Sequence, residues 1–198
     1  MNTIRYFLAL ILVICLPPLF LYWLLIHPLI AFWRAKGIGV TYSVIFTIIA
    51  VAMVALFSIR HYLLTVEFGT SYLLVVLGVV CLVFSGKIRL TLQKHFTVPL
   101  LLGLPEIAPD RHPRELITEG LYSRVRHPRY IQFLIALLGY ALIANYLALY
   151  IAIALWVPAI YTIVLLEERE LRQHFGEIYD AYCREVPRFI PMMRVRRK

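Results

Sequence analysis

Charged residues are scarce in this chain of 198 residues, at 16% of its positions, whereas a soluble domain carries roughly 25%. Cysteine occurs only three times, at Cys15, Cys81 and Cys183. The first two fall in stretches that are predicted below as membrane spans and the third in the predicted cytoplasmic tail, so no disulfide is expected. No two of them have metal-ligand spacing, so no metal site is expected either. The chain also lacks a glycine-rich phosphate loop and the H-E-x-x-H and G-x-S-x-G motifs. These absences exclude a disulfide-stapled secreted scaffold.

Apolar residues are abundant instead, at 62% of the chain with a mean hydropathy of +0.80. This is more apolar surface than one small core can bury, so lipid is the expected solvent and disorder is excluded. A hydrocarbon core of about 30 Å takes about 20 apolar residues as a helix. The pattern predicts spans over about 6–26, 38–59 and 71–85, the third continuing as helix through Lys87 and Arg89.

The last apolar block, residues 131–166, contains no charged residue and is too long for one span. We interpret it as a helical hairpin that turns at Asn145, with a kink at Pro158 in its second arm. The first span contains Pro17 and Pro18 and is interpreted as a retained, kinked span, because no signal-peptide cleavage pattern follows it. The predicted fold is therefore an all-α integral membrane bundle of five transmembrane helices, in a single domain over 1–198.

The basic residues are concentrated on one side of this predicted bundle. Two lie in residues 30–40, eight in 86–130 and eight after 166, so 18 of 20 share one face, and only Arg5 and Arg60 lie opposite. The positive-inside rule then places the amino terminus outside and the tail in the cytoplasm, in a bacterial inner membrane or an endoplasmic reticulum-type membrane. The net charge of +9 is thus a topology signal. We expect the bilayer as partner and no nucleic acid.

The polar residues of this face fall into a loop before the fourth span and a tail after the fifth, which a hairpin brings together. His127-Pro128 stands at the predicted start of the fourth span, where a helix amino terminus favours anions. Arg124, Arg126 and Arg129 either add to that site or form a basic interfacial anchor. Opposite lie Glu167 and Glu168, which are about 100° apart around a helix, so only one can point into the bundle.

After these glutamates the periodicity predicts an amphipathic C-terminal helix that ends at Pro187. Its apolar positions are Leu171, Phe175, Ile178, Tyr179, Tyr182 and Val186.

Two segments in this order resemble a known family. L-I-T-E-G-L-Y-S-R-V-R-H-P-R-Y covers 116–130, and E-E-R-E-L-R-Q-H-F-G-E-I-Y-D-A-Y-C-R-E-V-P-R-F-I-P covers 167–191. With the hairpin between them they are similar to the isoprenylcysteine carboxyl methyltransferases, which are grouped with the phospholipid N-methyltransferases. The resemblance covers roughly residues 86–191. Gln132 departs from it where the family often has glycine, and the apolar stretch 163–166 lacks an arginine that eukaryotic members carry.

The resemblance implies methyl transfer from S-adenosylmethionine to a lipid-like acceptor, such as an isoprenylcysteine carboxylate, at a cytoplasmic pocket. Residues 86–198 would form the catalytic half and residues 1–85 three supporting spans. His127 and Arg126 would receive the methionine carboxylate, and Glu167 the ammonium group or the ribose hydroxyls. The cofactor residues implied by position are Leu116, Ile117, Tyr122, Arg126, His127, Pro128, Tyr130, Glu167 and Glu168.

Several alternatives stay open at the level of sequence. A carboxylate acceptor needs no base, whereas an amine must lose a proton, which His127 or His95 could accept. A nicotinamide-dependent reductase is a second hypothesis, because membrane sterol reductases have a similar C-terminal half. A transporter or scaffold is a third, although it would be expected to carry a charged residue deep in a span. No catalytic residue, acceptor or oligomeric state follows from the residues.

Overall fold

The computed structural model is helical and describes residues 2–95, 102, 104–107 and 115–191. Four helices make up most of the bundle: α1 (Asn2–Ile26), α3 (Ile38–Ser58), α5 (Tyr72–Leu92) and α8 (Leu147–Phe175). Shorter helices lie between and after them: α2 (Ile30–Lys36), α4 (Arg60–Leu63), α6 (Leu104–Ile107), α7 (Pro128–Ala144) and α9 (Glu177–Glu185). Two 3-10 turns follow α5 and precede α7, at Gln93–His95 and Gly120–Ser123.

Within the described ranges, four helices are long and apolar enough to cross a membrane, namely α1, α3, α5 and α8. The fourth predicted span, α7, has 17 residues and is about 25 Å long at ~1.5 Å per residue. A multi-pass helical membrane protein is therefore supported, whereas the prediction of five spans is not confirmed. The continuation of α5 through Lys87 and Arg89 is confirmed, because that helix ends at Leu92.

Helix α1 begins earlier than the predicted span and includes Arg5, whose exposed fraction is 1%. The predicted span began at about residue 6, so Arg5 was expected just outside it, whereas the helix includes this residue. A buried arginine is tolerated there because two of its three guanidinium nitrogens, Nε and Nη1, find partners. Its Nε donates to the Ala144 carbonyl at 2.9 Å, its Nη1 donates to Thr70 Oγ1 at 2.9 Å, and Nη1 lies 2.7 Å from Glu67 Oε1.

The hairpin turn between α7 and α8 lies at Asn145, as predicted. Asn145 adopts a left-handed conformation with φ of 56°, which asparagine tolerates better than most residues. Its Nδ2 donates to the Gly69 carbonyl at 3.0 Å, and its Oδ1 accepts from Tyr150 at 2.9 Å. The segment before α5 is thereby tied to the turn, and Arg5 and Glu67 lie beside it. We call this side of the bundle the Arg5 end.

Helices α5 and α7 pack closely because glycines face each other where they cross. A Cβ added at Gly78 would lie 2.7 Å from the Gly139 carbonyl oxygen, and one added at Gly139 would lie 2.8 Å from the Gly78 oxygen. Nearer the opposite side of the bundle, Gln132 Nε2 donates to Ser85 Oγ at 2.7 Å, and Ser85 Oγ lies 3.0 Å from the Gln132 carbonyl. This fixes the register of α7, which directly follows His127 and carries Tyr130 in its first turn.

The tail differs from the predicted single amphipathic helix. Helix α8 continues past the two glutamates to Phe175, and the chain then breaks at Gly176, where φ is 55°. Helix α9 follows. Tyr179 is buried, whereas Ile178, which was predicted to lie on the same apolar face, is 69% exposed. The glycine turns α9 back towards α8, so the amphipathic helix is not confirmed as predicted.

Candidate functional site

The loop before α7 and the tail after α9 lie side by side, as the hairpin predicts. The backbone N–H of Arg126 donates to the Pro187 carbonyl at 2.8 Å, and that of His127 donates to the Arg188 carbonyl at 3.1 Å. The Tyr182 hydroxyl donates to the Tyr122 carbonyl at 2.6 Å. Three hydrogen bonds therefore hold the residues before α7 against the tail. We call this side of the bundle the His127 end.

Glu168 is the centre of a buried charge network. Its exposed fraction is 0%, and Arg188 binds it in a bidentate manner, with Nε 3.0 Å from Oε1 and Nη2 2.9 Å from Oε2. Arg126 Nη2 and His127 Nε2 each lie 3.2 Å from Oε1. Two parallel N–H···O bonds give an arginine–carboxylate pair a fixed geometry. The hydrogen bonds that Arg188 donates to Glu168 raise the pKa of Arg188 above its ordinary value.

Glu167 differs from its neighbour because it retains open surface. Its side chain is 30% exposed, and its Oε2 accepts from the Tyr130 hydroxyl at 3.1 Å and lies 3.7 Å from His127 Nδ1. The sequence geometry required that only one of the two glutamates point inward, and that residue is Glu168. Glu167 is therefore the carboxylate with room for a ligand.

His127 immediately precedes α7, and Pro128 is that helix's first residue, as predicted from the sequence. The imidazole is buried, with Glu168 at its Nε2 and Glu167 towards its Nδ1. The rings of Tyr130 and Phe189 lie 5.9 Å from it on centroid distances. Because carboxylates face both ring nitrogens, the imidazole is held in one orientation. A positioning role fits it better than that of a proton acceptor.

Two further polar atoms of Arg126 are buried near this network. Among the residues that the structure describes, Nε and Nη1 of Arg126 find no hydrogen-bond acceptor, and neither does the buried hydroxyl of Tyr179. A buried guanidinium donor without an acceptor is unfavourable. These two N–H donors of Arg126 could therefore bind an anion at the site.

Two tyrosines outside the spans border the network. Burial raises the pKa of the Tyr122 hydroxyl; Arg129 lowers it in part, and the Glu167 carboxylate adds to the rise. Burial also raises the pKa of Tyr182 to about 12. Both phenols are therefore neutral donors at physiological pH, and the Tyr182 hydrogen bond to the loop persists there.

The structure brings together six of the nine residues that the resemblance implies: Tyr122, Arg126, His127, Tyr130, Glu167 and Glu168. Pro128 starts the adjoining helix. Leu116 and Ile117 are half-buried in the extended segment before the 3-10 turn. Within the described part of the chain, no hydrogen bond or ion pair joins them to the network. The side chain of His95, the other suggested base, lies outside that part. The cofactor roles stay predictions.

Sequence reasoning missed two parts of the site. Arg188 was quoted only within the V-P-R motif, yet it is the bidentate partner of Glu168. A second cluster links α1 to the site: His27 Nδ1 lies 2.7 Å from Glu170 Oε1, and its ring stacks on Trp23 at 5.3 Å. The guanidinium of Arg129 lies 5.7 Å from the Trp23 ring centre. The E-E-R-E run made Glu170 visible in the sequence, but no sequence pattern near His27 predicts that these two residues are in contact.

Comparison with known proteins places this site in a family context. The family model described as phospholipid methyltransferase matches residues 66–178. A protein-S-isoprenylcysteine O-methyltransferase of Schizosaccharomyces pombe is 36% identical over 80 residues, covering 39% of this chain and 34% of that protein. Its counterpart B of Arabidopsis thaliana is 34% identical over 92 residues, covering 46% of each.

A third relative carries a different name. The delta(14)-sterol reductase of Mus musculus is 30% identical over 104 residues, which is 51% of this chain and 25% of that protein. The chain thus spans between a quarter and slightly under half the length of these curated relatives. No solved structure matches the chain.

Proposed function

Because this chain belongs to the phospholipid methyltransferase family, we propose that it is an integral membrane methyltransferase that uses S-adenosylmethionine. The acceptor is a lipid-like molecule that meets the cofactor at the cytoplasmic membrane interface, where the His127 end lies. Two of the relatives named above are O-methyltransferases of isoprenylcysteine proteins, which supports methyl transfer to a lipid-modified acceptor. Both of these relatives are named O-methyltransferases, whereas the family description does not specify the accepting atom.

One observation carries this proposal, namely the two buried N–H donors of Arg126 that lack an acceptor. Its Nε and Nη1 are buried without an acceptor among the described residues, beside a helix start at Pro128. A helix amino terminus and a guanidinium both favour an anion. S-adenosylmethionine carries one carboxylate, which would satisfy these donors. The residues present therefore fit the cofactor.

The remaining residues complete the pocket. Glu167, with its open surface, would take the ammonium group or the ribose hydroxyls. Tyr122 and Tyr130 would offer aromatic faces to the adenine or the sulfonium. Leu116 and Ile117 would contribute backbone groups, while Glu168 positions Arg126 and His127. When bound, S-adenosylmethionine supplies a methyl group on a positively charged sulfur.

The contribution of the protein is alignment and exclusion of water. An in-line methyl transfer requires the nucleophile of the acceptor to lie behind the methyl carbon, and fixed positions lower the entropic barrier. His127 would orient the cofactor through its contacts with both glutamates rather than accept a proton. A carboxylate acceptor would then react without a base, which favours O-methylation over an amine acceptor.

The proposed topology has five spans, with α7 as the short fourth one and the amino terminus outside. The helix is tied to the longer α5 at Gly139 and at Gln132, so a neighbour supports it across its length. A short span can be accommodated by local thinning of the bilayer. Eighteen of 20 basic residues then lie on the cytoplasmic side, in agreement with the positive-inside rule.

Binding of two cofactors to the purified protein tests this proposal. The wild type should bind S-adenosylmethionine, and Arg126→Gln and Glu167→Gln should each weaken that affinity by about tenfold or more, since each removes a charge-assisted hydrogen bond. Arg124→Gln is the matched control, because Arg124 is exposed in the same loop. Wild-type affinity in both site variants would contradict the assignment.

The similarity to the delta(14)-sterol reductase favours a second candidate, a nicotinamide-dependent reductase. The same titration separates the two functions. Binding of NADPH with no binding of S-adenosylmethionine would replace the methyltransferase proposal by the reductase.

A further inference from the structure

A second cavity lies away from the His127 end, in the part of the bundle between α1, the α3–α4 junction and α8. Its volume is about 660 Å³, and its walls include Val13, Leu56, Leu63, Leu147 and Trp156. None of the residues that line it is charged. It is a groove rather than an enclosed chamber, and helices long enough to span a membrane form most of its walls. Its opening therefore faces hydrocarbon.

The length of this groove matches one leaflet of a bilayer. Along α8 its walls run from Leu147 to Ala159, which is about 18 Å at ~1.5 Å per residue. Half of a hydrocarbon core is about 15 Å. From Ala159 to Glu167 is a further stretch of about 12 Å on the same helix. The groove thus occupies the leaflet at the Arg5 end and stops short of the charge network.

The two ends of the groove differ in chemistry. At the inner end lie Phe20, Trp156 and Ala159, which are apolar. At the outer end, Tyr62 and Thr65 line it, and Arg60 directly precedes this stretch. A ligand that fills the groove therefore has its polar part beside Arg60.

Arg60 is not itself a lining residue of the groove but begins the short helix α4, whose Tyr62 and Leu63 line it. Its guanidinium lies 4.0 Å from the centre of the Phe57 ring, and its Nη1 donates to the Phe57 carbonyl at 2.8 Å. In the described ranges no carboxylate pairs with it, whereas Arg5 has Glu67. Arg60 is one turn after Leu56 and one turn before Leu63, both in the groove wall. Its charge is thus available to an anionic group at the membrane surface.

We propose that this groove is a binding site for a glycerophospholipid with an anionic headgroup, drawn from the leaflet at the Arg5 end. One acyl chain lies along α8 between Leu147 and Ala159, and the phosphate lies against Arg60. The uncharged walls, the length of one leaflet and the cation at one end select this class of ligand. The site is independent of the proposed methyl transfer.

Photo-crosslinking tests this site in the full-length protein. The probe is phosphatidylglycerol with a diazirine on one acyl chain, added to the protein in mixed micelles. Labelling should map to residues 62–66 and 147–159. Unlabelled phosphatidylglycerol should compete about fivefold better than phosphatidylcholine of the same chain length, because one basic residue near an anionic headgroup contributes on the order of this factor to the affinity. Arg60→Gln should abolish that preference, and Arg60→Lys should keep it.

A groove-filling variant tests the acyl chain separately. Ala148→Phe should reduce the labelling at least fivefold, because Ala148 lines the groove. Ala154→Phe should leave it unchanged, because Ala154 is exposed on the same helix outside the groove. Equal competition by the two phospholipids, or unchanged labelling in Ala148→Phe, would overturn the proposal. Stronger competition by an isoprenylcysteine analogue, or protection only by a second copy of this chain, would also overturn it. If Ala148→Phe fails to fold, the competition experiment with Arg60→Gln still tests the proposal, because an unchanged preference for phosphatidylglycerol in that variant would overturn it.

Discussion

Neutralising Glu168 should damage the fold far more than neutralising Glu167, although the two residues are adjacent. Glu168 is fully buried and neutralises Arg188 at 2.9–3.1 Å and Arg126 at 3.2 Å. In Glu168→Gln both guanidiniums lose their counter-ion, and the Arg126 side chain is only 8% exposed. Breaking a buried ion pair by removing one partner costs about 3–5 kcal/mol.

Glu167→Gln is the matched control for this prediction. Its side chain is 30% exposed and accepts one hydrogen bond, from Tyr130 at 3.1 Å. Loss of such a contact costs about 1 kcal/mol. This variant should therefore remain folded while it loses affinity for S-adenosylmethionine.

Thermal unfolding in detergent, followed by tryptophan fluorescence, measures the difference. For a chain of this size, 1 kcal/mol corresponds to about 2–4 °C, so Glu168→Gln should lower the midpoint by on the order of 10 °C and Glu167→Gln by only a few degrees. Adding Arg188→Gln to Glu168→Gln should recover part of the loss, because one unpaired cation is removed. Equal midpoints for the two single variants would refute the buried-network reasoning.

Three other perturbations probe the bundle. Gly139→Ala should cost about 1–3 kcal/mol through overpacking against α5, seen as a lower unfolding midpoint; an unchanged midpoint would mean that the helices do not cross at this glycine. Arg5→Gln and Glu67→Gln should each be destabilising, and the double variant less so than their sum; additivity in this double-mutant cycle would contradict the ion pair. Tyr182→Phe should cost about 1 kcal/mol through the lost bond to Tyr122. Burial raises the pKa of Tyr182 from 10.0 to about 12. The difference in the free energy of unfolding between this variant and the wild type should therefore be constant below pH 10 and shrink as the pH rises towards 12. A difference in unfolding free energy that changes between pH 6 and 8 would refute this.

The hairpin, and the position of the loop before α7 beside the tail, could be predicted because both follow from the order of residues along the chain. A charge-free run of 36 residues is too long for one span, and Asn145 supplies the turn. Once the hairpin forms, residues about 40 apart are brought together, which accounts for His127 lying beside Glu168.

The rest of the site depends on three-dimensional packing. Which glutamate points inward is set by the rotation of α8 against α7, and the sequence geometry alone left Glu167 and Glu168 undecided. The buried Arg5 was missed because it precedes the apolar run, and only the fold brings Glu67 within 2.7 Å of it. The amphipathic tail helix is not confirmed as predicted, because periodicity does not detect a break at one glycine, Gly176.

Transfer of a radiolabelled methyl group from S-adenosylmethionine tests the central claim most directly. The purified protein would be incubated with total membrane lipids and with isoprenylcysteine analogues, and the labelled product identified. We predict label in a lipid-soluble product with the wild type and with Arg124→Gln, and at least tenfold less with Arg126→Gln or Glu167→Gln. No label with any acceptor, from protein that is folded and binds S-adenosylmethionine, would contradict the methyltransferase assignment. Label that is equal in all four proteins would contradict the site.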